Sequence, residues 1–237
     1  MVQREARPDD PGMATDTIMA RDAAEEADGR PIRHVIFDFG NVLVRCGQRT
    51  ALLPRYTDRQ IDGFLDGDLS GFAEANERMD AGADPADVVE WMARTHGRQW
   101  ADMMAFYLDH FEDALQGPVP GARMLLEDLK DAGIGVWGLS NWGRPTFERT
   151  WELYPILHAL DGKVVSYEVG INKPDPRIYA IALERFGIDP HEAVFVDDLP
   201  ANVLAANRAG LRAIRFRDPR ALRHALAQSG IPIPDPE

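Results

Sequence analysis

Arg33-His34-Val35-Ile36-Phe37-Asp38-Phe39-Gly40-Asn41-Val42-Leu43 is the stretch on which the reading of this chain turns. Val35, Ile36 and Phe37 make an uninterrupted apolar run, as a strand buried on both faces requires. The run stops at a carboxylate, and Gly40-Asn41 behind it is a turn pair. Working outward, four further apolar runs end in the same way: Gly135–Leu139, Val164–Tyr167, Ala193–Val196 and Arg212–Phe216. Those at Val35, Gly135 and Ala193 read as buried parallel strands. Helical periodicity lies between most of them. One helix is predicted over Gly121–Ala132, closed by Gly133, one over Pro174–Phe186, closed by Gly187, and one over Pro200–Ala209, closed by Gly210. Such alternation predicts an α/β fold with a doubly wound, mainly parallel sheet.

The interval after the first strand breaks this rhythm. Between Thr57 and Leu115 no strand pattern is found, and helices are predicted over Asp58–Leu65, Gly71–Met79, Pro85–Arg94 and Arg98–Leu115. Residues 47–116 therefore read as an inserted helical bundle, a lid, with Trp91, Trp100, Phe106 and Phe111 forming its own core. The α/β core is expected over 31–46 and 117–230. Residues 1–30 read as a disordered tail with a weak helix at Thr17–Ala27, and 231–237, with Pro232, Pro234 and Pro236, as a second tail.

Composition narrows the partners. The 237 residues carry a formal net charge of −13, with 45% hydrophobic and 27% charged residues. Such a surface repels nucleic acid and anionic membranes, so neither is an expected partner. A phosphate could bind only through a local concentration of positive charge. The one cysteine, Cys46, cannot form an internal disulfide. No apolar run approaches a membrane span, and the first thirty residues lack the apolar segment of a secretory signal. A cytoplasmic monomer or small homo-oligomer is expected.

In doubly wound sheets ligands bind beyond the carboxyl ends of the strands. Asp38 stands at one such end, Ser140-Asn141 at a second and Asp197-Asp198 at a third, while Lys173-Pro174-Asp175-Pro176 opens the helix after the Val164 strand. Each alone has an ordinary reading as turn former or helix cap. Together, on one edge and in this order, they gather carboxylates, a hydroxyl and an ammonium into one crevice.

At this point the chain resembles the haloacid dehalogenase superfamily. Phe37-Asp38-Phe39-Gly40-Asn41-Val42-Leu43 is similar to its first motif, Leu139-Ser140-Asn141 to its second, Lys173-Pro174 to its third and Phe195-Val196-Asp197-Asp198 to its fourth. The resemblance spans roughly residues 31–228. The wording of the first motif, with Tyr167-Glu168-Val169-Gly170-Ile171-Asn172 ahead of Lys173, is similar to the branch of sugar-phosphate phosphatases that includes glucose-1-phosphate phosphatase. It implies a helical cap after the first motif and a small phosphorylated metabolite as substrate. Asp38 would be the nucleophile, attacking phosphorus in line to give an acyl phosphate that water hydrolyses. Ser140 and the Asn141 backbone N–H would hold a phosphoryl oxygen. Lys173 would neutralise nucleophile and phosphate together.

A carboxylate approaching a phosphate dianion meets repulsion of roughly 4 kcal/mol per charge pair at 4 Å and an effective dielectric of about 20. One lysine cannot offset two such pairs beside Asp197 and Asp198. A divalent cation is required, and Mg²⁺ suits oxygen ligands. Asp38, the Gly40 carbonyl, Asp198 and Asp197 are the expected ligands.

One position departs from the common family pattern. Phosphatases of the superfamily usually carry a second Asp two residues after the nucleophile, to protonate the leaving group, and here that residue is Gly40. Anomeric and aryl phosphates, whose leaving oxygens need little protonation, are then expected to outrun primary-alcohol esters. Two other readings compete. A metal-free 2-haloacid dehalogenase would attack carbon with the same Asp, but that branch typically has tyrosine at the Gly40 position and no need of two acidic partners. A binding module without turnover is the other. Among lesser candidates, Cys46 reads as a small buried apolar residue and Arg45 and Arg49 as solvated surface; the six histidines show no metal-ligand spacing.

Overall fold

Strand β1 (His34–Phe37) places Val35, Ile36 and Phe37 out of contact with solvent. The chain continues through β2 (Val44–Cys46), α1 (Gln48–Leu52), α2 (Asp58–Leu65), α3 (Gly67–Ser70), α4 (Phe72–Asp80), α5 (Pro85–Thr95) and α6 (Arg98–Asp109). A 3₁₀ turn at Phe111–Ala114 leads to β3 (Leu115–Pro118). There follow α7 (Ala122–Asp131), β4 (Gly135–Ser140), α8 (Arg144–Leu153), β5 (Gly162–Val165), α9 (Ser166–Val169), α10 (Pro176–Phe186), β6 (Ala193–Asp197), α11 (Pro200–Arg208), β7 (Ala213–Arg215) and α12 (Pro219–Gln228). This computed structural model describes residues 30–234. The expected disorder of 1–29, the weak helix at Thr17–Ala27 and the last three residues of the second tail lie outside them.

The main sheet has the order β5-β4-β1-β6-β7, and every neighbouring pair is parallel. His34 is in register with Gly135 on one side and Ala193 on the other, so β1 is the central strand. Side chains alternate across a strand, and the two faces here are covered by different helices. Val35, Phe37, Val136, Val194 and Val196 pack with Leu125, Leu126 and Leu129 of α7, Phe147 of α8 and Leu222 and Leu226 of α12. Ile36, Leu139, Val164 and Phe195 pack with Ile178, Tyr179 and Ala182 of α10 and Ala206 of α11. The sheet is doubly wound, as the buried runs predict. Among the described residues no helix is long and apolar enough to cross a membrane.

Residues 48–114 form helices with an apolar cluster of their own, centred on Ile61, Phe64, Ala75, Met92 and Met104. Trp91, Trp100, Phe106 and Phe111 lie against this cluster, partly buried, rather than at its centre.

In three elements the boundaries differ from the sequence reading by more than one residue. The helix expected over Arg98–Leu115 stops at Asp109, because Leu115–Pro118 is drawn into an antiparallel pair with Val44–Cys46. That two-stranded ribbon closes both ends of the insert: Gly47 N–H donates to Ala114 O at 2.8 Å and Val119 N–H to Leu43 O at 2.9 Å. The Val164 run ends at Val165 instead of Tyr167, since Ser166–Val169 turns into a helical segment closed by Gly170 at φ 68°. The helix expected from Pro174 begins at Pro176, with the Asp175 side chain accepting from Arg177 N–H at 2.9 Å as its cap.

Candidate active site

β1 delivers Asp38 to the carboxyl edge of the sheet, where its N–H donates to Val196 O at 2.8 Å. The next six residues double back on themselves: Leu43 and Val44 N–H both donate to Phe39 O at 2.9 Å, and Asn41 N–H to Val44 O at 2.7 Å. Asn41 holds the left-handed conformation at φ 56°, which asparagine tolerates better than most residues. Its side chain accepts from Cys46 N–H at 3.0 Å and fastens the turn to β2. Gly40 lies outside the left-handed region, and a Cβ placed on it would meet nothing within 4 Å.

Around Asp38 the structure brings together Ser140, Asp197 and Asp198 from the strand ends and Lys173 from the loop after α9. Asp38 Oδ1 accepts from its own neighbour Phe39 N–H at 2.7 Å and from Ser140 Oγ, at the end of β4, at 2.7 Å. Lys173 Nζ stands 3.0 Å from Asp38 Oδ1 and donates to Asp197 Oδ2 at 2.6 Å and to Leu139 O at 3.0 Å. Asp197, fully buried at the end of β6, also accepts from Leu199 N–H at 2.8 Å and from Asn202 Nδ2 at 3.0 and 3.1 Å. Asp198 is half-buried beside it.

Asn141 serves a different end from the one its side chain would suggest. Its amide donates to Lys173 O and accepts from Lys173 N–H, both at 2.8 Å, clamping the lysine loop to the end of β4. Asp175 takes no part in the cluster and is spent on capping α10, with Arg177 on its carboxylate. Arg45 donates to Gln116 O across the ribbon, and Arg49 pairs with Asp58 and Asp62. Cys46 is only partly buried, with its thiol pushed up to about 12 by burial and by the charge on Asp38, far from a reactive thiolate.

The electrostatics follow from burial. Asp38 is raised above the ordinary carboxylate range by burial, with Asp197 adding to the rise while Lys173 and Ser140 pull against it. Burial works to lower the Lys173 ammonium, but Asp38 and Asp197 outweigh it and hold the group above its ordinary value. Asp198 is raised by burial and then by Asp197. One oxygen from each of Asp38, Asp197 and Asp198 lies within 4.8 Å of the others. Three carboxylates against one ammonium leave a net negative cluster, and its all-oxygen donor set is that of a hard divalent cation. Asp197 is already saturated by three donor groups, so Asp38 and Asp198 have more lone pairs free for a metal.

Sequence reasoning missed Asp80. It is the last residue of α4, in the insert, next to Met79, which packs on Gly143 at the start of α8. Burial raises its carboxyl to about 7, with Lys173 opposing and Asp38 and Glu77 adding to the rise. No local signal marks it, because a lone Asp at a helix end resembles any other. Asn202, which fixes Asp197, was missed for the same reason.

A model of the haloacid dehalogenase-like hydrolases matches residues 32–210. Among curated relatives, the chain is 43% identical over 102 residues to a glyceraldehyde 3-phosphate phosphatase of Methanopyrus kandleri, covering 42% of this chain and 43% of that protein. It is 33% identical over 97 residues to (S)-2-haloacid dehalogenase 4A of Burkholderia cepacia, covering 41% and 42%. The chain spans about half the length of the curated relatives it matches. In three dimensions it is similar to a HAD family enzyme of Bacteroides thetaiotaomicron solved as a magnesium complex, with TM-score 0.63, 20% identity and coverage of 80% of this chain and 95% of that one.

Proposed function

The chain belongs to the haloacid dehalogenase-like hydrolases, and from that premise we propose that it is a Mg²⁺-dependent phosphatase of small phosphorylated metabolites, sugar phosphates foremost, working through an aspartyl-phosphate on Asp38. The observation that carries this reading is the convergence of Asp38, Ser140, Lys173, Asp197 and Asp198 at one edge of the parallel sheet. The curated glyceraldehyde 3-phosphate phosphatase supports the substrate class.

Each group has a task that its position suits. Asp38 attacks phosphorus, and the bond to the leaving oxygen breaks on the opposite side. Ser140, now donating to Asp38, can turn its hydroxyl to a phosphoryl oxygen alongside the Asn141 backbone N–H. Lys173 holds Asp38 ionised despite its burial and offsets phosphate charge, an effect that is strong because the site is shielded from water. Asp197 and Asn202 keep the lysine in place. Mg²⁺, held by Asp38 and Asp198 with Asp197 and the Gly40 carbonyl as further ligands, would supply the charge neutralisation that one lysine cannot. The insert of residues 47–116 acts as a cap over this edge.

The dehalogenase relative supports a second reading, attack of Asp38 on carbon. Against it stands the acidic cluster, since carboxylates facing Asp38 without a cation raise its pKa and blunt it as a nucleophile. Phosphate release from a panel of phosphorylated metabolites, with Mg²⁺ and with chelator, tests the proposal. Mg²⁺-dependent release supports it; halide release from 2-haloacids in chelator, without phosphate release, overturns it.

A further inference from the structure

With no carboxyl at Gly40, the phosphatase reading lacks a proton donor for the leaving group. The structure shows where a replacement can stand. Attack by Asp38 points outward from the sheet edge, so in-line departure sends the leaving oxygen away from the sheet and toward the insert. The part of the insert seated there is the turn that ends α4. Asn172, next to Lys173, donates from Nδ2 to Glu77 O at 2.7 Å and ties this helix to the lysine loop. A Cβ on Gly143 would lie 3.2 Å from Met79 Cβ, so the helix end rests directly on the loop after β4. A Cβ on Gly82 would lie 3.2 Å from Tyr167 O, so the turn also rests on α9. Asp80 sits within this docked turn, at the helix end that Met79 seats on Gly143, and within electrostatic reach of both Lys173 and Asp38.

Resting on the phosphatase reading, we infer that Asp80 is the general acid that protonates the leaving oxygen, replacing the family's acid from the insert side of the site. As the Asp38 Oδ–P bond forms and the P–O bond to the alcohol breaks, the Asp80 carboxyl proton passes to the departing alkoxide and leaves a carboxylate. In the second step that carboxylate takes a proton from water, hydroxide attacks phosphorus, and the Asp38–P bond breaks. Inorganic phosphate leaves, and Asp38 returns as carboxylate and Asp80 as acid. Burial suits Asp80 to both halves, since a carboxyl raised to about 7 can give and take a proton near neutrality. The groups that face it are Lys173 and Asp38 from the core, Glu77 on its own helix and, inside the insert, Tyr107, whose own hydroxyl is raised chiefly by burial.

Asp80→Asn keeps the shape and removes the proton. Its kcat/KM on a primary-alcohol ester, a sugar 6-phosphate, should fall by about 10²- to 10⁴-fold. On p-nitrophenyl phosphate, whose leaving group needs no proton, it should fall by less than about tenfold. A residue that merely braces the fold or binds the alcohol would not steepen dependence on the leaving group. Gly40→Asp in the Asp80→Asn background should recover the 6-phosphate activity, because the added Cβ meets open space. Wild type needs no folding control: its 6-phosphate rate should fall as pH rises past about 7 while the p-nitrophenyl rate does not. Equal losses on both substrates, or parallel pH profiles, overturn the assignment of Asp80. A wild type that releases phosphate from neither overturns the phosphatase reading itself.

Discussion

Lys173→Met tests the charge balance of the site without reference to turnover. The ammonium is fully buried, 3.0 Å from Asp38 and 2.6 Å from Asp197, and its third donor goes to Leu139 O. Methionine fills nearly the same volume, so the change removes charge and hydrogen bonds more than packing. Breaking a buried ion pair by deleting one partner costs about 3–5 kcal/mol, since the remaining charge is left uncompensated. For a chain of this length each kcal/mol lowers Tm by about 2–4 °C, so a fall of about 6–20 °C is expected at pH 7 in chelator. The pH dependence has a definite sign. A carboxyl whose folded value lies above its unfolded one adds stability at low pH and loses it as pH rises through the folded value. Asp38 is raised by burial even with the lysine present, and without it moves further up. The gap between variant and wild type should therefore shrink as pH falls from 7 toward the ordinary carboxylate value of about 4. Mg²⁺ should restore part of the loss, by about 2.7 kcal/mol when free metal is 100-fold above its Kd. Thermal melts and urea unfolding across pH 4–8 measure all three. A loss under about 1 kcal/mol, or one that does not vary with pH, would show that the buried cluster is not held together by this lysine.

The remaining expectations concern turnover and motion. Asp38→Asn should abolish phosphate release while leaving the fold intact, and beryllofluoride should inhibit wild type by mimicking the acyl phosphate; substantial residual turnover in the variant removes Asp38 from its role. EDTA should stop activity, Mg²⁺ restore it and Ca²⁺ inhibit, because Ca²⁺ favours looser and higher coordination. Asp198→Ala should raise the Mg²⁺ concentration needed for half-maximal rate at least tenfold, whereas Asp175→Ala, which only uncaps α10, should cost about 1 kcal/mol of stability and leave that concentration unchanged. Amide exchange in residues 47–116 should slow when Mg²⁺ and a phosphate analogue bind together; protection confined to the Asp38 turn would show a cap that does not close.

How much could be read from the sequence depended on the range of the forces involved. Buried parallel strands need apolar residues on both faces, and that demand is local, so β1, β4 and β6 stand out as continuous runs. The edge strands are less plain. At the β5 end the last turn residues, Ser166 and Tyr167, look as strand-like as Val164 and Val165 until Gly170 closes a helical turn around them. The ribbon of β2 and β3 was illegible for another reason: its partners, Val44–Cys46 and Leu115–Pro118, are some seventy residues apart and short. Leu115 carries an apolar side chain that extends the α6 periodicity, and only pairing with a distant strand breaks it.

The site divides along the same line. Strand ends are fixed by the sheet, so a polar residue following an apolar run is delivered to one known edge; Asp38, Ser140, Asp197 and Asp198 could be gathered in this way before any coordinates, and Lys173 joins them from the segment that opens the next helix. Residues that reach the edge from the insert obey no such rule. Asp80 stands forty-two positions after Asp38 and is aimed by where α4 docks, a matter of Asn172 on Glu77 O and Met79 on Gly143. On the Asp80 proposal, the same docking accounts for the absence of an acid at Gly40. A carboxyl on the nucleophile's own loop is present whether or not the insert is seated, whereas one on α4 reaches the leaving oxygen only when that helix is down on the core. If the proton comes from Asp80, closure and leaving-group protonation are one event, and water that enters an open site meets a nucleophile with no acid beside it. Loosening the dock without touching Asp80 should then act as a partial loss of the acid: Asn172→Ala, which frees Glu77 O, should depress the 6-phosphate rate more than the p-nitrophenyl rate. If the two rates fall together, the dock serves binding alone and closure is not coupled to proton transfer.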